Sequence, residues 1–181
     1  MNRQSVNDSA HAHFLTFSCY HRRQFLTDDY ARHCLARAID FARARHDFAL
    51  WAYVFMPEHV HLLIHPRLPE YSVGDILRDI KEQPARQVIQ RWRERSPWKL
   101  EKMRARQGTR EVHRFWQAGG GYDRNLYSQE KINRAVDYIE WNPVRRDIVE
   151  EPTQWVWSSA YARANNSIAA LTVDPLEVVV S

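Results

Sequence analysis

Apolar and polar positions follow two periods along this chain, near two residues in some stretches and near 3.6 in others, and the switches between them mark out the elements. Residues 13–20 (HFLTFSCY) are rich in aromatic and β-branched side chains and predict a strand. Thr27, Asp28 and Asp29 then offer a helix N-cap, and Tyr30, Cys34, Leu35, Ala38, Ile39 and Ala42 recur at helical spacing. Residues 48–55 are a second apolar strand, which Met56-Pro57-Glu58 interrupts because proline cannot continue a central ladder. Residues 59–65 (HVHLLIH) resume as a third strand, so the pair reads as a hairpin or one bent, bulged strand. Residues 72–95 are helical in pattern, with Pro84 a kink or boundary. Residues 96–110 are charged and irregular and predict a loop, 112–117 (VHRFWQ) a fourth strand, and Gly119-Gly120-Gly121 a turn. The plainest helix is 129–141, where Ile132, Ala135, Val136 and Ile139 form an apolar stripe that Asn142-Pro143 ends.

The order strand, helix, strand, strand, helix, strand, helix predicts an α+β fold, an antiparallel sheet with helices on one side. The expected domain spans 13–159, after a polar extension over 1–12. A tail over 160–181 ends in the apolar run LEVVV and is expected to be weakly ordered or to pack as an accessory element.

Composition narrows the class. At 181 residues with 44% hydrophobic and 12% aromatic content, the chain can bury a real core. No run of 18 apolar residues is present, and the opening MNRQSVNDSAHAH lacks the apolar stretch of a secretion signal. Cys19 and Cys34 have neither metal nor redox spacing, so the expected setting is reduced and cytoplasmic. The net charge of +4 is unevenly spread: residues 76–114 hold twelve Lys or Arg against five acids. Arginines number 22 against 4 lysines, and arginine's planar fork suits phosphate. A basic stripe of this kind fits a nucleic-acid binder and a solvated helix face about equally. The seven tryptophans could stack unpaired bases, although Trp51, Trp155 and Trp157 read as core.

Two pairs of residues carry candidate chemistry. His59 and His61 stand two apart on a predicted strand, so both imidazoles share one face while Val60 and Leu62 point to the other. Such a pair is half of a metal site, or two ordinary histidines. Tyr138 and Asn142 lie four apart on the last helix and share a face. Tyr138 could be a nucleophile and the Asn142 oxygen a ligand for a hard cation, or they could be a rim tyrosine and a helix stop. Tyr122 and Tyr127 are reserve nucleophiles without an Asn four residues on, and Glu58 could orient a ligand or a water or be a neutral turn residue.

Several longer motifs give these pairs a context. Residues 56–64 (MPEHVHLLI) resemble the metal-binding strand of the HUH single-tyrosine, IS200-like transposases. Residues 115–117 (FWQ), 121–124 (GYDR), 137–146 (DYIEWNPVRR) and 155–159 (WVWSS) resemble the REP-associated tyrosine transposase branch of that family. The resemblance runs from about residue 13 to 159. It implies a ferredoxin-like antiparallel sheet of the HUH endonuclease type. It also implies metal ligation of Mg²⁺ or Mn²⁺ by His59, His61 and Asn142, and attack by Tyr138 to give a 5′-phosphotyrosine. The implied substrate is single-stranded DNA that folds into a hairpin, cut and rejoined beside the hairpin foot by a monomer or a homodimer. Phosphate contacts are expected from Arg78, Lys81, Arg91, Arg93, Arg95, Arg104 and Arg106 in the basic segment, and from Arg124, Arg145 and Arg146 downstream.

Two other readings compete with this one. A DNA-hairpin-binding regulator of the same fold would bind without cutting. A hydrolase with a histidine nucleophile would need a third alternating histidine, but Leu63 occupies that place and His65 lies one step too far along.

Overall fold

The structure is a computed structural model and describes residues 11–165 and 169–176. Strand β1 (Ala12–Ser18) leads through two short 3-10 turns into helix α1 (Asp29–His46). The Asp28 carboxylate caps α1 by accepting from the backbone N–H of Tyr30 and Ala31. Strands β2 (Phe48–Phe55) and β3 (His59–Pro66) follow as a hairpin, and Ser72 caps helix α2 (Val73–Arg95) through the Asp75 N–H. The helix continues through Pro84 instead of ending there. Ile80, Pro84 and Val88, spaced by four, are all buried, so packing of one face offsets the hydrogen bond that proline cannot make.

The four-stranded sheet has the order β2-β3-β1-β6, with every neighbouring pair antiparallel. Its fourth strand, β6, is Tyr122–Leu126 and not residues 112–117. The sequence YDRNL is mostly polar because β6 is an edge strand with only Leu126 buried, so it carries little apolar signal. Phe115 and Trp116 anchor the core instead of forming a sheet strand, and Trp116 makes only an isolated bridge with Cys19. The expected loop over 96–110 holds a 3-10 turn (Pro97–Met103) and most of a separate hairpin, β4 (Arg104–Gln107) and β5 (Arg110–His113), whose turn contains Gly108 at φ +61°. The connectivity of β1, α1, β2, β3, α2 and β6 is ferredoxin-like.

Helices cover both faces of the sheet, not one. Leu15, Phe17, Phe55, Val60, Leu62 and Ile64 pack against α1 and α2. Trp51, Val54, Met56, Leu63 and Leu126 pack against Ile132, Val136 and Ile139 of helix α3 (Gln129–Glu140). All eight positions of β2 are buried, the mark of a strand covered on both sides. Its register shifts between Leu50 and Ala52, which places Trp51 and Ala52 together on the α3 side. After α3 come a short helix α4 (Asn142–Arg145) and, later, α5 (Ser159–Ala164).

Beyond α5, Leu171 is buried and its carbonyl accepts from the Tyr53 hydroxyl at 2.9 Å. Asp174 accepts from the Leu50 N–H at 2.8 Å and pairs with Arg43 at 2.6 Å, so this segment docks against β2 and α1. Of the terminal LEVVV run, only Leu176 falls within the described residues. No helix among the described residues is long and apolar enough to cross a membrane.

Candidate active site

Alternation along β3 turns His59 and His61 toward the α3 side, away from Val60 and Leu62. Both histidines are buried, and their Nε2 atoms face each other at 3.1 Å. The Nδ1 atoms are tied elsewhere: His59 Nδ1 donates to Glu58 Oε1 at 3.0 Å, and His61 Nδ1 lies 2.7 Å from the Thr16 hydroxyl of β1. A carboxylate can only accept, so Nδ1 of His59 carries the hydrogen and its Nε2 presents a lone pair. Burial pushes the His61 pKa down to about 3, helped by the neighbouring His59 and Arg22. Burial likewise lowers that of His59, although Glu58 pulls the other way. The pair is therefore neutral, which is the form that binds metals.

The geometry fits a shared cation. Two nitrogens about 2.1 Å from one ion stand about 3.1 Å apart when they subtend ~95°, close to adjacent positions of an octahedron. Among the described residues no group of three His, Cys, Asp or Glu could hold a metal, so any third side-chain ligand beside the two histidines would be of another type. Asn142 offers one. It is buried, and its Oδ1 has no hydrogen-bond partner, a costly state for a carbonyl oxygen. Tyr138, Asn142 and Arg146 follow one another at intervals of four from α3 into α4. The Tyr138 ring lies 5.5 Å from that of His61, and Arg146 Nη2 donates to Glu58 Oε1 at 3.0 Å. Asn142 thus stands between two contacts with the histidine strand.

Tyr138 is 43% exposed, an open position beside the buried histidine pair. Phe14 holds its ring edge-on at 5.9 Å and stacks on His61 at 5.4 Å, while the Arg145 guanidinium lies 5.2 Å over the Tyr138 ring. Of the reserve tyrosines, Tyr122 pairs in register with Thr16 and so borders the site. Tyr127 lies further off, under the Lys131 ammonium at 3.8 Å. Leu63 lies in the α3-side core and His65 stacks on Trp51, so neither extends the histidine pair.

Glu58 is the residue that sequence reasoning undervalued. It sits in the bend between β2 and β3, as expected, but as a buried carboxylate whose Oε1 accepts from His59, Arg22 and Arg146. Burial opposes its charge, but the His59 ring and Arg146 outweigh it and hold the carboxyl below the ordinary range. The signal was its position directly before the histidines, and the bend at Pro57-Glu58 made a plain turn the simpler reading.

The ten expected DNA contacts divide into groups. Arg124 and Arg145 flank Tyr138, and Arg146 is committed to Glu58. Arg78 pairs with Asp75, and Arg104 pairs with Glu101 and Glu111. Lys81 is half-buried over Phe17 and donates to the Gly119 carbonyl, and Arg91 covers Tyr30. Arg93, Arg95 and Arg106 form no ion pair among the described residues. Helix α2 belongs to the sheet face opposite α3, so its arginines are not in the layer that carries Tyr138.

Comparison with solved structures finds the same fold elsewhere. The solved structure of a REP-associated tyrosine transposase bound to a REP hairpin matches with a TM-score of 0.69 at 20% identity, covering 100% of this chain and 93% of that one. The structure of a candidate transposase from Deinococcus radiodurans R1 aligns at a TM-score of 0.46 and 20% identity, covering 77% and 95% of the two chains. No curated protein matches the chain. The family model for IS200-like transposases matches residues 7–142, a span that takes in both histidines, Tyr138 and Asn142. The chain belongs to the IS200-like transposase family.

Proposed function

We propose that this transposase cuts and rejoins single-stranded DNA beside a hairpin, with Tyr138 as nucleophile and His59, His61 and Asn142 as ligands of a Mg²⁺ or Mn²⁺ ion. The observation that carries the reading is the convergence of two neutral imidazole Nε2 atoms at 3.1 Å next to an exposed tyrosine ring. The unpartnered Asn142 Oδ1 supports a third ligand. Hairpin substrates are supported by the REP hairpin bound to the protein of matching fold.

A bound divalent ion supplies a Lewis acid that polarises the scissile phosphate and offsets charge on its oxygens. The chain's own residues do the rest. Glu58 and Thr16 fix the two imidazoles by their Nδ1 atoms, so both Nε2 atoms are aimed before any ligand arrives. Phe14 holds the Tyr138 ring against His61, and Arg145 adds positive charge where a phosphate approaches. The phenol oxygen attacks phosphorus and gives up its proton to solvent, the bond from phosphorus to the 3′-oxygen breaks, and that oxygen leaves as a 3′-hydroxyl. The product is a 5′-phosphotyrosine with the number of phosphate ester bonds unchanged. A 3′-hydroxyl can therefore attack it to rejoin strands without an outside energy source.

The test uses labelled single-stranded hairpin oligonucleotides incubated with the protein in Mn²⁺ or in chelator, resolved on a denaturing gel beside Tyr138→Phe. A slow-migrating adduct that needs the metal and is lost in the variant is the expected result. An adduct that persists in Tyr138→Phe overturns the nucleophile assignment, and retarded but uncut DNA in both proteins overturns the cleavage reading.

A further inference from the structure

A groove of about 440 Å³ opens directly beside Tyr138, between β6 and α3. Its volume is within the range of small-ligand sites, about 300–1,000 Å³. Phe14, Leu126 and Ala135 form an apolar floor, and Arg124 and Lys131 form cationic rims beside Arg134, which pairs with Glu130 at 2.6 Å; no acidic residue lines the groove itself. Three elements build it by their own periodicities. Arg124 and Leu126 share one face of β6, whereas Lys131, Arg134, Ala135 and Tyr138 lie at helical spacing along one side of α3. Phe14 connects floor to chemistry, since the same ring stacks on His61 and meets Tyr138 edge-on.

An apolar floor between cations is the arrangement that holds an unpaired nucleotide, with the base on the floor and its phosphate at the rim. Building on the function proposed above, we infer that this groove is the binding subsite for the unpaired nucleotide next to the scissile phosphate. Lys131 is then a DNA contact that the charge pattern did not single out, because it sits outside the basic 76–114 segment. The groove also gives a basis for choosing the cut site. A hairpin stem presents paired bases that cannot lie flat on the floor, so only an unpaired base at the foot can enter.

The subsite is tested by binding in chelator, which removes the chemistry from the readout. A fluorescent hairpin with a single-stranded extension is titrated against the wild-type protein while one abasic position is moved along the extension. The expected profile has one position where loss of the base weakens binding about tenfold. Ala135→Trp fills the groove without removing a charge, and should weaken binding of the intact substrate by a similar factor while erasing the effect of the abasic position. Should Ala135→Trp fail to fold, as read by circular dichroism, Arg124→Ala with Lys131→Ala at the rim should weaken binding of the extended hairpin but not of a blunt one. A flat abasic profile, or a profile unchanged in the variants, overturns the subsite. Those outcomes leave the Tyr138 adduct untouched, and loss of the adduct alone leaves the subsite standing.

Discussion

Arg146 of the chain just after α4 donates to Glu58 Oε1 at 3.0 Å, and the same oxygen accepts from His59 Nδ1 at 3.0 Å, so the segment that follows Tyr138 and Asn142 is tied to the start of the histidine strand. This relationship makes Glu58 a positioning residue for His59. Glu58→Gln keeps the shape but removes the charge and, in one amide orientation, places an N–H against the His59 Nδ1–H. Loss of such an outer partner typically weakens metal binding by about 10–100-fold. Calorimetric titration with Mn²⁺ should show a drop of that order, with the circular dichroism spectrum unchanged; equal affinity would show that the carboxylate only closes a turn.

The buried histidines predict a direction for stability against pH in the metal-free protein. The pKa of His61 is pushed down to about 3 by burial, whereas an unfolded chain takes up that proton near pH ~6.5. Between those values the unfolded state holds more protons, so stability falls as pH drops from about 6.5 toward 3. His61→Asn should flatten that part of the profile, measured by urea unfolding at a series of pH values in chelator. A slope identical to wild type would place the responsible group elsewhere.

Gly121 links the glycine run to the site. Its φ is +83°, and a Cβ there would meet the Thr16 carbonyl oxygen at 2.2 Å, immediately behind the hydroxyl that holds His61. Gly121→Ala should therefore push β6 from β1 and cost about 1–3 kcal/mol or more, through strain at positive φ and overpacking. Gly120 has open space around it and no positive φ, so Gly120→Ala should unfold within about 0.5 kcal/mol of wild type. Thermal unfolding of the two variants distinguishes them, and equal midpoints would sink the argument.

The sequence makes the core strands and the long helices legible because their signals are strong and local. The β2 and β3 runs are apolar throughout, and the α3 stripe ends at an Asn-Pro pair. Alternation alone put His59 and His61 on one face, and helical spacing put Tyr138 and Asn142 on another. That these two faces meet depends on α3 crossing the sheet on the side opposite α1 and α2, and no local pattern encodes that layer choice. β6 was hidden because an edge strand reading YDRNL owes its place to hydrogen bonds with β1 and to the Gly121 approach, not to apolar alternation. The partners of Glu58 were hidden for a related reason: Arg22 and Arg146 lie 36 and 88 residues away in the chain.

The basic segment can be divided by what its cations already hold. Arg78 and Arg104 are neutralised by neighbouring carboxylates, so replacing either by Ala should change DNA affinity little. Arg93, Arg95 and Arg106 are exposed, with no ion pair among the described residues, and keep their charge for an outside anion. Removing one cation from a phosphate lowers the slope of log affinity against log salt by about 0.7 for single strands and 0.9 for duplex. If the three touch the hairpin stem, Arg93→Ala with Arg95→Ala and Arg106→Ala should reduce the slope by about 2–3 and weaken binding to hairpins of any sequence. The effect should persist on a blunt hairpin lacking the extension, since these arginines are outside the α3 layer and its groove. An unchanged slope would make this stripe a solvated surface and confine DNA binding to the Tyr138 side of the sheet.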